Sequence, residues 1–185
     1  NNLIFQSTGD DSLFLPGVYH YNPVKKDLTP LSRRQRKYEQ MEISNDGLQV
    51  AFLAQQDTIK NAQVKTFALH HWILSQDSAR AIVDSAHASM PEGWMVNQYQ
   101  RLSFSDDASR LFFHIYLPPA QPDTTLLDEE KVSVEVWSWH DEYLQTQQEV
   151  DKKDERQRGY MAVYLTEDQK FVPLATEKMP EIRFD

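Results

Sequence analysis

"MEISNDGLQVAFLA" (41–54) and "RLSFSDDASRLFFH" (101–114) are two versions of one pattern: apolar residues run into a serine and an acidic turn, then into a second, strongly apolar run. Placing Ile43 on Phe104 gives an offset of 104 − 43 = 61, which also sets Ser44 on Ser105, Asp46 on Asp107, Val50 on Leu111 and Phe52 on Phe113. A self-match at fixed offset is the signature of a repeat fold. "SNDG" and "SDDA" bend the chain because Ser, Asn and Asp side chains bond to nearby backbone. Gly47 takes φ > 0 freely, whereas a Cβ opposes it at Ala108, so the second turn is expected to be of another type.

A second unit follows the first. "GVYHYNPVKKDLTPLS" (17–32), "HHWILSQDSARAIVDS" (70–85) and "YMAVYLTEDQKFVPLAT" (160–176) each join an aromatic, β-rich run to a short aliphatic run through a polar turn, and each reads as a hairpin. One full repeat is then four strands: "QMEIS" (40–44), "LQVAFLAQ" (48–55), "TFALHHWIL" (66–74) and "ARAIVDS" (79–85). Residues 50–54 and 111–116 are apolar without alternation, as in strands covered on both faces. A β-sandwich has turns at similar spacing, but the repeated order of turn types favours a propeller. The expectation is all-β: a WD-like β-propeller segment of about three four-stranded blades, incomplete, forming one domain over 1–185. The approximate blades are 1–32, 38–85 and 99–176, with an insertion at 141–158.

The chain has 185 residues, enough for one domain with a sizeable core. A formal charge of 19 − 28 = −9 argues against nucleic-acid binding, which needs clustered cations. Arg33, Arg34, Arg36 and Lys37 form the one basic cluster, read as a solvated loop between strands. Cys is absent, so disulfides, thiolate metal sites and Cys nucleophiles are excluded. No apolar stretch is long enough to span a bilayer as a helix.

The turn "SNDGLQVAF" resembles the repeat of WD-like propellers in prolyl oligopeptidase family serine peptidases, including dipeptidyl and acylaminoacyl peptidases, and TolB-like propellers share it. "MPEGWMV" (90–96), "DTTLLDEE" (123–130), "VEVWSWHDEYLQTQQ" (134–148) and "RGYMAVY" (158–164) resemble one bacterial branch of that family, typical of Bacteroides. The resemblance covers nearly the whole chain. It implies a propeller placed before a separate α/β-hydrolase domain that carries a Ser, Asp, His triad, a peptide substrate for the parent protein, and a periplasmic or secreted location. It carries no catalytic residue onto this chain: a nucleophile elbow needs G-x-S-x-G, and Gly9, Gly17, Gly47, Gly93 and Gly159 stand too far apart to form one. The expected role is a non-catalytic cover that gates peptide access. A TolB-like binding or sensor scaffold without peptidase activity is the alternative.

Asp84, Ser85 and His87 are close in sequence, which is not triad geometry. His70 and His71 point to opposite strand faces and cannot share one metal. No catalytic, cofactor or metal residue is expected. Trp94, Trp137, Trp139 and His140 are candidates for partner or peptide contact, with blade packing the more economical reading of the two tryptophans at 137 and 139. The connections 56–65, 86–97 and 118–131 greatly exceed a hairpin loop and fall on the face opposite the short turns, where recognition is expected. "NNLIFQS" (1–7) reads as a second strand without its first and "MPEIRFD" (179–185) as a first strand without its second. Self-association through such cut edges is therefore expected, by pairing 182–184 of one copy with 3–5 of the next.

Overall fold

The computed structural model describes residues 2–9, 14–34, 36–57, 64–119, 154 and 156–182. Among the described residues the strands form three antiparallel sheets. The first is β1 (Leu3–Ser7), β2 (Gly17–Asn22) and β3 (Asp27–Ser32), in that order. The second is the meander β4 (Tyr38–Ile43), β5 (Gln49–Gln55), β6 (Phe67–Ile73) and β7 (Arg80–Val83). The third is built on β10 (Arg110–Tyr116), β11 (Tyr160–Leu165) and β12 (Lys170–Pro173). Its first strand is split into β8 (Met95–Val96) and β9 (Ser103–Phe104), both paired to β10. The architecture is all-β, an incomplete propeller-like fold.

Alternation along β5 explains why its sequence is apolar without a break. Val50, Phe52 and Ala54 pack with Val18 and Leu31 of the first sheet, together with Tyr38 and Trp72. Ala51 and Leu53 face the other way, onto Leu111, Phe113, Ile115 and Phe171 of the third sheet. The middle sheet is thus buried on both faces, and Val50 through Ala54 are all at 0% exposure. The same alternation sends His70 toward the first sheet, stacked on Phe52 at 5.2 Å. His71 goes toward the third, 6.2 Å from the Tyr164 ring.

The first strands of the second and third sheets, each at an edge of its sheet, are both interrupted. In β4 the register slips between Glu39 and Glu42, and Gln40 takes φ 50° there. In the third sheet Val96 pairs with Ile115 and Phe104 with Leu111, so residues 97–102 leave the ladder between them. A bulge at Gln40 and an excursion at 97–102, near Gln40's counterpart at 40 + 61 = 101, blunt both edges against addition of another strand.

The expectation of two different turns is corrected. Gly47 has φ 71° and Ala108 has φ 56°, so both occupy the left-handed region. Side-chain bonding common to both turns outweighs the Cβ strain at Ala108. β10 pairs directly with β11, and "VSVEVWSW" (132–139), which falls between them in sequence, lies outside the described residues. The sequence expectation of a strand at 182–184 lies mostly outside the described residues. Just upstream, Thr176 and Met179 form an isolated bridge.

Candidate functional site

Each repeated turn is a closed set of hydrogen bonds around one serine. Ser44 N donates to Gln49 O (3.0 Å), Gly47 N to Ser44 O (2.8 Å) and Gln49 N to Ser44 Oγ (2.9 Å). Sixty-one residues on, by 105 − 44 = 61, Ser105 N donates to Arg110 O (2.9 Å), Ala108 N to Ser105 O (2.9 Å) and Arg110 N to Ser105 Oγ (3.0 Å). The serine hydroxyls donate to Asp46 Oδ1 (2.5 Å) and Asp107 Oδ1 (2.6 Å). Those bonds hold both carboxyls below their usual range, Asp107 at about 2, with Leu48 N and Ser109 N adding to the effect. The turns between the third and fourth strands lock onto the same motif: Leu74 N donates to Leu48 O (2.9 Å) and Thr166 N to Ser109 O (3.0 Å).

Side-chain amides then lace neighbouring sheets together on this side. Asn2 Nδ2 donates to Gly47 O (2.7 Å), and Gln49 Nε2 to Ala108 O (3.1 Å). Asn2 and Gln49 each stand three residues before a phenylalanine, Phe5 and Phe52, so they are equivalent positions in successive sheets. Asn45 Nδ2 adds a bond to Asp106 Oδ1 (3.2 Å). Because the Gln49 amide nitrogen is committed to Ala108, its oxygen must accept from His71 Nε2–H, 2.8 Å away. Burial lowers the His71 pKa to about 4, so the neutral ring does the donating.

The opposite side carries the long connections. Gln56 N bonds to Thr66 O (2.9 Å), and Asp57 Oδ2 accepts from Thr66 N (2.6 Å) and Thr66 Oγ1 (3.0 Å), closing the neck of the β5–β6 connection. Gln56 Nε2 reaches Asp84 Oδ2 (3.3 Å) in the β7–β8 connection, so the two excursions share this side. Asp84 Oδ1 also accepts from Ala86 N (3.0 Å), and His87 Nδ1 accepts from Ser89 N (3.1 Å). The acid and the imidazole are thus committed to backbone amides of their own turn, not to a relay with Ser85. The His87 ring meets Phe171 edge-on at 5.3 Å.

Trp94 lies where the β7–β8 connection enters the third sheet; it is half-buried, 4.9 Å from the Tyr160 ring and against the core. Trp137, Trp139 and His140 lie outside the described residues. At the far end of the β10–β11 connection, Asn97 Nδ2 donates to Gln157 O (2.9 Å). A Cβ at Gly159 would stand 2.8 Å from Asn97 Nδ2 and from His114 Cβ, so only glycine fits this return into β11.

The interrupted first strands of the second and third sheets meet through Gln40 Nε2, which donates to Gln98 O (3.1 Å). Glu42 is half-buried beside them. Burial raises its pKa, with the Arg101 charge opposing. Sequence reasoning passed over Gln49, Asn2, Gln40 and Glu42. The signal for the first two was present, since a polar side chain opens each apolar run at a fixed distance before its phenylalanine. Gln40 and Glu42 act through a bulge that leaves no mark in composition.

A scan against protein-family models matches none, and a search of curated proteins finds no match. Among solved structures, the crystal structure of the tricorn protease overlays with a TM-score of 0.39 at 10% identity, over 85% of this chain and 20% of that one. The chain therefore spans a fifth of the length of that protein. No helix among the described residues is long and apolar enough to cross a membrane.

Proposed function

We propose that this chain is the non-catalytic propeller part of a prolyl oligopeptidase-type serine peptidase, and that its long-connection side governs which peptides reach a separate α/β-hydrolase domain. The observation that carries the reading is the asymmetry of the two sides. One is short turns laced by Asn2–Gly47 and Gln49–Ala108 bonds; the other is long connections gathered by the Gln56–Asp84 bond. Long connections on a rigid sheet scaffold are where recognition resides. The resemblance of "MPEGWMV", "DTTLLDEE", "VEVWSWHDEYLQTQQ" and "RGYMAVY" to that family supports the peptidase setting and an extracytoplasmic location. The test is a serine-reactive fluorophosphonate applied to the 185-residue chain and to the polypeptide encoded by its reading frame. Labelling only outside these residues is expected, whereas stoichiometric labelling of a serine within them would overturn the proposal.

A further inference from the structure

The two seams between neighbouring sheets are built alike, except that one polar tie is made in only one of them. Between the second and third sheets, His71 pairs with Ala51 across the ladder, turns its ring to Tyr164 and has its Nε2 2.8 Å from the Gln49 side-chain oxygen. Its counterpart in the first sheet is His20, which pairs with Ile4 and meets the Trp72 ring at 4.9 Å. Asn2 stands two residues before Ile4 as Gln49 stands two before Ala51, and both amide nitrogens cross to the next sheet's turn. Asparagine is one methylene shorter than glutamine. Its nitrogen reaches Gly47 O, but no described residue bonds to His20 Nε2, which is buried in a side chain only 1% exposed.

His70 enters the same seam from the second sheet, stacked on Phe52, and its Nδ1 is also buried without a partner. The seam around the two rings is apolar, with Val18 and Leu31 against Val50, Phe52 and Ala54. The charged groups that bear on the rings are Asp27 for His20 and Arg36 and Arg34 for His70, and the Tyr38 hydroxyl in this core is taken up by Ser32 and Arg34 O. Protonation would add a charge and a second ring donor where no acceptor stands, so a seam opened to water binds protons more readily than a closed one.

We propose that the first sheet is an acid-released flap: on acidification β1, β2 and β3 leave the second sheet as a unit, while the second and third sheets stay joined. Opening this seam frees both His20 and His70 to protonate. Opening the other frees His71 alone, and that ring keeps its Gln49 acceptor when charged. Burial holds His20 and His70 below the ordinary imidazole pKa, so closure is fully favoured above about 6.5 and weakens as pH falls below it. Release of the flap requires no hydrolase domain.

Native-state hydrogen exchange of the 185-residue chain, read by NMR as protection factors, tests the flap. From pH 7 to pH 5 the amides of 3–7, 17–22 and 27–32 should lose protection together, about fivefold or more beyond the loss in β5, β6, β10 and β11. His20→Phe keeps a ring against Trp72 without a site for the proton and should remove most of that excess. Asn2→Gln adds the missing methylene at the margin of the sheet; it should raise first-sheet protection at pH 7 and shrink the excess at pH 5, and it carries the test alone where His20→Phe does not fold. Parallel loss in all three sheets, no loss in the first, or an excess unchanged in Asn2→Gln would overturn the flap.

Discussion

The Gln49 side chain donates to the backbone oxygen of Ala108 at 3.1 Å, joining the second sheet to a left-handed turn in the third, just as Asn2 joins the first sheet to Gly47 at 2.7 Å. Removing the amide in Gln49→Ala breaks this bond and leaves His71 Nε2–H without its acceptor. A loss of about 1–3 kcal/mol follows from one half-buried bond and one stranded donor. Asn2→Ala, with no such second partner among the described residues, should cost about 1 kcal/mol. Urea unfolding of the two variants checks the order, and equal losses would contradict the relay through His71.

The shared left-handed conformation predicts opposite effects at its two positions. Gly47→Ala adds a Cβ at φ 71° and brings it 2.6 Å from Asn2 Nδ2, so it should destabilise by about 1–2 kcal/mol. Ala108→Gly relieves the same strain at φ 56° and should stabilise by up to about 1 kcal/mol, less the loss of a methyl at a 2%-exposed site. Denaturant midpoints read both. A destabilised Ala108→Gly would mean that methyl packing outweighs backbone strain.

Burial holds both neighbouring histidines at about 4, with Arg36 and Arg34 also acting on His70, against 6.5 when unfolded. In that window the unfolded chain binds more protons, so stability must fall as pH drops from 6.5 toward 4. The loss is up to about 2.5 kcal/mol per histidine by pH 4.5. Because the serine-bonded Asp107 titrates near 2, its contribution is lost only at lower pH. Comparing urea midpoints at pH 7 and pH 4.5 for the native chain and for His70→Phe, His71→Gln checks the assignment: the variant should lose most of the drop.

Much of the architecture was legible because it is periodic. The 61-residue offset between Ser44 and Ser105 carried over into matching hydrogen bonds, and the unbroken apolar run 50–54 announced a strand covered on both sides. What was not legible depends on contacts distant in sequence. Ala108 was expected to escape φ > 0 because residue preference argues against it, but bonds from Ser105 and Asp107 override that preference. Where the third sheet's first strand splits at 97–102, Asn97 bonds to Gln157, 60 residues away, a contact no local pattern encodes. The basic cluster was legible too: Arg33, Arg34, Arg36 and Lys37 were read as a solvated loop between strands, and they join β3 to β4 with Arg33, Arg34 and Lys37 exposed.

The most direct measurement of the central claim is peptide size selectivity after the β5–β6 connection is shortened. The Asp57–Thr66 bonds close that neck independently of what lies beyond it, and closure entropy changes little with loop length. Replacing 58–63 by Asn-Gly should therefore leave the unfolding midpoint nearly unchanged. In the polypeptide encoded by the full reading frame, activity on long peptides should rise several-fold relative to short ones. An unchanged ratio in a normally folded variant would contradict gating by this side of the sheets.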